Sequence, residues 1–251
     1  METMRAATSA PATTYGVREA ADVVGRDITP DGFGTRFVAQ TGEEEARVRI
    51  GLLGAYNVSN ALAAVTTAVS QGAGFANAVH ALESFPGVPG RMELIDEGQP
   101  FRVVIDIAST EQAMRNVLQM LRPLTTGKLI VVFGAAGERD PERRAGIARA
   151  VAACADFAVL TNEDPRSEDP DEIIEQIAGG LREAGWEEER QFVREPDRRA
   201  AIELAFGRAK AGDTVLLAGK GTEPSIVIGT EHVPWDERTV ARELLGRRAS
   251  V

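Results

Sequence analysis

The stretch KLIVVFGAAGERDPERRAGIARAVAACADFAVLTN, residues 128–162, decides the fold of this chain. It begins with a short apolar run rich in β-branched residues, continues through a glycine-containing loop into an alanine-rich segment, and ends in a second apolar run. A strand, a helix and a second strand in this order predict a βαβ unit with parallel strands. A chain that repeats such units forms a sheet with helices on both of its faces.

The same alternation extends over the rest of the chain after Arg91. Strands are predicted at 102–107, 128–134, 157–162, 191–195 and 214–219. Helices are predicted between them, at 109–124, 140–155, 169–185 and 197–210, and several begin with Ser, Asp or Pro. We therefore expect an α/β fold with a Rossmann-like, doubly wound and mainly parallel sheet.

The residues before Arg91 follow a different pattern. Residues 1–14 are small and polar and are expected to form a flexible tail. Alternating apolar and polar residues predict about three hairpin strands between Asp22 and Ile50, and two helices follow, the first with Asn57 as its N-cap and Gly72 as its stop. The Pro- and Gly-rich loop PGVPGR, 86–91, marks a domain boundary. The predicted organisation is 1–14 tail, 15–89 hairpin-and-helix domain and 90–251 α/β domain.

The hairpin strands alone are too small to form a core. We expect apolar faces of GTRFVAQ, 34–40, and ARVRIGLL, 46–53, to be exposed. Exposed strands invite pairing with another chain, so a partner chain or a homodimer is expected.

Composition excludes several functions. The formal net charge is −10, which disfavours binding to nucleic acid or to an anionic membrane, because both need a basic surface. One cysteine and two histidines are too few for a disulfide framework or a Cys/His metal site, and no metal ligand is assigned. No apolar run reaches the ~20 residues of a membrane span, and the first residues lack a signal-peptide core. A cytoplasmic location is expected.

Charged residues follow the predicted strands where each strand ends. They are Asp106, Arg139, Asp164, Arg166, Lys220 and Glu223. The carboxyl ends of parallel strands share one edge of the sheet, which is where such folds bind ligands. Arginines bind a carboxylate and acidic side chains bind an ammonium, so this edge suits a zwitterion.

Four motifs in order carry a family resemblance. They are NVSNALAA (57–64), PGVPGRME (86–93), VVFGAAGERD (131–140) and the pair TNEDPRSEDP (161–170) with LLAGKGTE (216–223). The closing PWDERTVARELL, 234–245, fits the same pattern. The chain resembles the C-terminal part of Mur ligases of the diaminopimelate-adding (MurE) type, which use ATP to join meso-diaminopimelate to UDP-N-acetylmuramoyl dipeptide in peptidoglycan synthesis. The resemblance implies a Mur ligase C-terminal domain preceded by a remnant of the central domain.

The resemblance also implies ligand contacts. Asn57 and Asn60 would lie by the adenine, and Arg91 and Asp106 would contact the ribose and phosphates of ATP, a partial site. The diaminopimelate would be held by Arg139, Asp164, Arg166, Gly219 and Glu223. No catalytic residue is assigned.

The motif that distinguishes diaminopimelate users, DNPR, reads EDPR here. Arg166 remains, which favours a ligand with a distal carboxylate. Asp164 replaces an asparagine, so an amide donor is lost and a negative charge is added. The family's DYAHTP reads DIASTE, with Asp106 and Thr110 kept, and GKGHE reads GKGTE.

No GxxxxGK[ST] phosphate-binding loop occurs in the 251 residues. The family's metal-binding carboxylate and carboxylated lysine, and its uridine-nucleotide domain, have no counterpart either, so Mg²⁺ is expected only together with the rest of a central domain. The chain alone is therefore not expected to turn over. Three interpretations remain: part of a ligase completed by a P-loop-bearing chain, a degenerate non-catalytic module that binds an amino acid or a nucleotide, or a remnant without a ligand.

Overall fold

A computed structural model describes residues 9–17, 21–42 and 44–249. The chain divides into two compact units, Met1–Gly87 and Val88–Val251. Of the expected tail, residues 1–8 lie outside the described residues, and 9–14 form neither helix nor strand. The Thr14 N–H donates to the Asp22 carboxylate over 2.7 Å, just before the first strand begins.

The first unit is a four-stranded sheet with two helices. Its strands, in the spatial order β1-β2-β3-β4, are β1 (Tyr15–Gly16), β2 (Val23–Asp31), β3 (Gly34–Thr41) and β4 (Glu44–Ile50). β1 is parallel to β2, and the other pairs are antiparallel, as expected of consecutive hairpins. The helices are α1 (Ala55–Ser70) and α2 (Phe75–Glu83).

The expected exposure of the apolar strand faces was wrong. Phe37, Ala39, Val48 and Ile50 are at most 3% exposed and belong to a cluster with the α1 residues Val58, Leu62 and Val65. Alternate residues of β3 and β4 point to the same face of the sheet, and the two helices cover that face. The expected partner chain or homodimer stays a prediction, but exposed apolar strand faces no longer support it.

The predicted cap of α1 was also wrong. The helix begins at Ala55, one turn earlier than expected, after Gly54 with φ of 88°. Asn57 lies inside the first turn, where its side-chain amide donates to the Leu53 carbonyl over 2.8 Å. Gly72, with φ of 91°, follows the end of the helix as predicted.

The second unit is built on a six-stranded sheet with the order β5-β6-β10-β7-β8-β9. Its strands are β5 (Glu93–Ile95), β6 (Arg102–Asp106), β7 (Leu129–Phe133), β8 (Phe157–Leu160), β9 (Phe192–Arg194) and β10 (Thr214–Ala218). The helices are α3 (Glu111–Leu121), α4 (Glu142–Cys154), α5 (Pro170–Glu183), α6 (Arg198–Arg208) and α7 (Glu237–Ala249), with a 3₁₀ turn at Arg122–Leu124. β5 pairs antiparallel with β6, and all the other pairs are parallel. The predicted α/β fold with a mainly parallel sheet is confirmed.

The chain order sets the faces on which the helices lie. From β6 through β7 and β8 to β9 the chain moves in one direction across the sheet, and right-handed crossovers put α3, α4 and α5 side by side on one face. The chain then returns from β9 to β10, between β6 and β7, so α6 lies on the opposite face. There α6 and α7 form a buried cluster with sheet residues such as Val103, Val132 and Leu217. The reversal places a switch point at β10, where such folds bind ligands.

The sequence interpretation did not anticipate β5 or a two-stranded antiparallel hairpin, β11 (Ser225–Ile228) with β12 (Glu231–Pro234). β11 follows directly after the GKGTE loop, which places the hairpin at the ligand edge of the sheet. Within the part of the chain that the structure describes, no helix is both long and apolar enough to cross a membrane.

Candidate functional site

Lys220 lies at the centre of the charged groups at the carboxyl edge of the sheet. Its side chain is fully buried, and Nζ donates over 2.7 Å to Asp164 Oδ1 and over 2.7 Å to Glu223 Oε2. Lys220 thus joins the loop after β8 to the loop after β10. The negative charge that Asp164 adds is met by this lysine, which pairs with both carboxylates.

Glu163, next to Asp164, is a buried carboxyl group with one oxygen that accepts no hydrogen bond from the described residues. It is 5% exposed, and among the described residues Oε2 has no hydrogen-bond partner. Burial raises the pKa of its carboxyl to about 7, against the opposing charges of Arg198 and Lys220. This carboxyl can therefore hold or release a proton near neutral pH.

Gly219 allows Glu163 to lie where it does. Its φ is 103°, a conformation that favours glycine, and a Cβ at this position would collide with Glu163 Oε2. Its N–H also donates to the Asp106 carbonyl over 3.0 Å. The backbone at Gly219 is thereby fixed between the loops after β6 and β8.

The EDPR loop and the β11–β12 hairpin are held together by backbone hydrogen bonds. The Arg166 N–H donates to the Val227 carbonyl over 3.0 Å, and the Gly229 N–H donates to the Arg166 carbonyl over 2.6 Å. The Val227 N–H donates to Asp164 Oδ1 over 2.9 Å. These contacts hold Arg166 at a φ of 54°, which is strained for a residue with a side chain.

The GAAGERD loop packs against the EDPR loop. The Gly137 N–H donates to the Asp164 carbonyl over 2.8 Å, and a Cβ on Gly137 would collide with the Pro165 carbonyl. Only glycine permits this close approach, because any side chain at position 137 would push the two loops apart.

The Arg166 guanidinium remains available to an anion. It is 29% exposed, and its ion-pair contact with Glu138 Oε2 is 3.9 Å long. Glu138 itself accepts from Ser167 Oγ over 2.6 Å, a hydrogen bond that lowers the pKa of its carboxyl. Arg139, the next residue, is exposed on the same loop.

Asp106 organises the loops around it. Its Oδ2 accepts from the Met92 N–H and its Oδ1 from the Ala108 N–H, each over 2.9 Å. Burial raises the pKa of this carboxyl, and the two N–H donors oppose that shift. Each oxygen keeps a further lone pair for a ligand hydroxyl. Arg91 is exposed and is one of the charges that act on Asp106.

Asn57 and Asn60 belong to the first unit. Asn57 is 8% exposed and its amide is engaged with Leu53. The Asn60 side chain is exposed and donates weakly to Asn57 Oδ1 over 3.4 Å. Their assignment to the adenine stays a prediction.

The structure thus brings Asp164, Gly219 and Glu223 together around Lys220, and it places Arg166 on the adjoining loop. Sequence reasoning missed Glu163 and the buried pair of Arg198 and Glu237, which lies behind the same loops. The position of Glu163 directly after a buried strand is a signal that could have identified it. Within the described ranges, no group of three or more His, Cys, Asp or Glu side chains is arranged to hold a metal ion.

Comparison with known proteins agrees with this architecture. Residues 90–221 match the family of the Mur ligase glutamate ligase domain, and residues 1–68 match the Mur ligase middle domain. The UDP-N-acetylmuramyl-tripeptide synthetase of Roseiflexus sp. (strain RS-1) is 45% identical over 94% of this chain and 47% of its own length. The UDP-N-acetylmuramoyl-L-alanyl-D-glutamate--2,6-diaminopimelate ligase of Geobacillus kaustophilus (strain HTA426) is 38% identical over 96% of this chain and 48% of its own length.

A solved structure of a UDP-N-acetylmuramoyl-L-alanyl-D-glutamate--2,6-diaminopimelate ligase superimposes with a TM-score of 0.68 and 29% identity, over 99% of this chain and 51% of that one. The chain therefore spans about half the length of the relatives that it matches. Because the glutamate ligase domain family covers more than half of the chain, and the middle-domain match precedes it in the expected order, the chain belongs to the Mur ligase family and is MurE-like.

Proposed function

We propose that this chain supplies the amino-acid-presenting part of a MurE-like ligase of peptidoglycan synthesis, with meso-diaminopimelate as the amino acid. The observation that supports this proposal is an available guanidinium at Arg166 close to the acidic groups that pair with Lys220, on two loops at one edge of the sheet. A molecule that has an ammonium and a carboxylate at a fixed separation fits such a pair.

The proposed roles follow from the charge of each group. Arg166 and Arg139 bind the carboxylate that distinguishes diaminopimelate from lysine. Glu223, whose side chain is 43% exposed, accepts from the ammonium, and the buried Glu163 acts on the ligand through its charge. Asp164 is held by Lys220 and the hairpin and acts on the ligand through those contacts. The other amine of the ligand is left to attack.

In the proposed reaction the carboxylate of the partner substrate takes the γ-phosphoryl group of ATP, which leaves ADP. The amine then forms the amide C–N bond as the C–O bond to phosphate breaks, with release of inorganic phosphate and a proton. Asp106 and Arg91 in the second unit, and Asn57 and Asn60 in the first, are proposed to contact the nucleotide. ATP activates the carboxylate, and the role of this chain is to position the amine and exclude water.

A binding experiment tests the proposal. Calorimetric titration of the chain with meso-diaminopimelate should give saturable binding that Arg166→Ala weakens by about tenfold or more, because a charged hydrogen-bonding pair is lost. Arg190→Ala is the matched control, since Arg190 is an exposed arginine on a distant loop whose side chain pairs with Glu187. Equal affinity in wild type and Arg166→Ala would contradict the assignment of the carboxylate.

A second candidate, a non-catalytic binding module, is favoured by the departures of EDPR, 163–166, and DIASTE, 106–111, from the motifs of the family. Both candidates predict no ATP-dependent ligation by the chain alone with diaminopimelate, UDP-muramoyl dipeptide, ATP and Mg²⁺. They differ when the remaining half of the Roseiflexus synthetase is added as a separate chain. Restored product formation supports the ligase part, whereas binding without product under these conditions supports the module.

A further inference from the structure

A buried ion pair lies directly behind the two loops of the proposed site. Arg198, at the start of α6, and Glu237, at the start of α7, each have side chains that are 1% exposed. Arg198 Nε donates to Glu237 Oε2 over 2.9 Å, and Nη2 donates to Oε1 over 2.6 Å. Trp235 Nε1 donates to Oε2 over 2.6 Å. The two carboxylate oxygens of Glu237 are therefore fixed by three donors.

The remaining donors of Arg198 reach the site loops. Nη2 donates to the Ala218 carbonyl over 2.8 Å, and Nη1 donates to the Asn162 carbonyl over 3.2 Å. Ala218 directly precedes Gly219 and Lys220, and Asn162 directly precedes Glu163 and Asp164. One guanidinium thus contacts the backbone of both loops, one residue before Glu163 in the first and two residues before Lys220 in the second.

The sheet itself does not link these loops by backbone hydrogen bonds. β8 and β10 are separated by β7, so their ends lie about 10 Å apart, twice the spacing of neighbouring strands. A planar guanidinium with five donors can span two carbonyls and a carboxylate, which a lysine ammonium cannot do in one geometry. Arg198 adds a second crosslink between these loops, from the side of the helices, to the one that Lys220 makes with Asp164.

Stability alone is a poor explanation for this pair. A buried ion pair is often no better for stability than apolar residues of the same volume, because both charges lose their hydration. A guanidinium whose donors are divided between two functional loops and one carboxylate instead fixes geometry.

We propose that Arg198 and Glu237 are positioning residues that set the separation of the EDPR and GKGTE loops and thereby the affinity for a zwitterionic amino acid. This inference rests on the proposed function. It also gives a role to the PWDER segment that begins the last helix, through Trp235 and Glu237.

Two variants and a control test the pair. Arg198→Lys keeps the charge and loses the planar guanidinium with its several donors. Trp235→Phe keeps an aromatic ring and loses one of the three donors to Glu237. The control is Asp213→Asn at the opposite edge of the sheet, where Asp213 is 6% exposed and accepts from the N–H groups of Lys128 and Lys210. All three variants lose buried or partly buried hydrogen bonds, and they are compared at a temperature where each is folded.

We expect Arg198→Lys to weaken diaminopimelate binding by about tenfold or more and Trp235→Phe by a few-fold, with Asp213→Asn unchanged. Hydrogen exchange should rise at 161–168 and 218–224 in Arg198→Lys, and at 125–129 and 210–214 in the control. Wild-type affinity and exchange at the site loops in Arg198→Lys would overturn the proposal, as would equal loss of affinity in the control. If wild type binds no diaminopimelate, the proposed function fails, and the exchange pattern alone decides whether the pair positions the loops.

The pH dependence of diaminopimelate binding distinguishes a positioning role from a purely structural one, because a purely structural role of Arg198 would leave its midpoint unchanged. The groups that act on Glu163 are Arg198 from α6, Lys220 and Glu223 from the loop after β10, and Asp164 beside it. Arg198 lowers the pKa of Glu163, so Arg198→Met should move the midpoint of the pH dependence upward, whereas Arg198→Lys should move it less. An unchanged midpoint in Arg198→Met would contradict the placement of this charge beside the ligand groups.

Discussion

Replacing Glu163 by glutamine should stabilise the second unit in a way that grows with pH. Burial raises the pKa of this carboxyl from 4.5 to about 7. Between these values the unfolded chain has lost the proton while the folded chain keeps it, so the wild type loses stability as the pH rises through this window and no further above it. A shift of about 2.5 units corresponds to about 3 kcal/mol. Glutamine has the same shape and carries no charge, so the variant escapes this loss.

Urea denaturation at intervals between about pH 5 and pH 8 measures the effect. Both tryptophans, Trp186 and Trp235, lie in the second unit, so their fluorescence reports its unfolding. The difference in unfolding free energy between Glu163→Gln and wild type should rise by about 2–3 kcal/mol over that range, since the window begins just below it. Glu203→Gln, an exposed position on α6, should give a difference that is flat with pH. A flat difference for Glu163→Gln as well would refute the reasoning that burial raises the pKa of this carboxyl.

Two further substitutions test the contacts between the loops. Lys220→Met leaves two carboxylates facing each other and should lower the free energy of unfolding, measured by denaturant titration, by about 3 kcal/mol. This is the low end for a buried pair, because one of the carboxylates can turn to solvent. A loss below about 1 kcal/mol would show that the lysine is not their common partner. Gly137→Ala places a methyl group against the Pro165 carbonyl, so it should lower the melting temperature and weaken diaminopimelate binding. The control is Gly179→Ala on α5, where nothing lies near the new methyl group. It should raise the free energy of unfolding by up to about 1 kcal/mol. A Gly137→Ala variant that is as stable as Gly179→Ala and binds diaminopimelate as the wild type does would contradict the packing described for the loops.

The parallel strands could be predicted from the sequence because each is a short buried apolar run bounded by polar residues. The carboxyl edge was predicted for the same reason, since parallel strands must end together, and it brought Asp164 and Glu223 into one site. β5 was missed because its three residues, Glu93–Ile95, carry no periodicity. The β11–β12 hairpin was missed because the sequence interpretation treated its apolar residues as part of the loop that precedes them.

The contacts that define the site depend on long-range geometry that no local pattern encodes. Arg198 and Glu237 are 39 residues apart, and Lys220 is 56 residues from Asp164. The burial of Glu163 depends on the positive φ of Gly219. The start of α1 was misplaced because an asparagine at Asn57 reads as a cap, whereas Gly54 turns the chain three residues earlier.

A pair of titrations of the 251-residue chain, one with meso-diaminopimelate and one with L-lysine under the same buffer and temperature, tests the central claim most directly. The two ligands differ by the one carboxylate that the account assigns to Arg166. Diaminopimelate should bind at least about tenfold more tightly than lysine, the effect of one charged, hydrogen-bonded carboxylate. Equal affinities, tighter binding of lysine, or no binding of either ligand would contradict the claim that this edge of the sheet holds a zwitterion with a distal carboxylate.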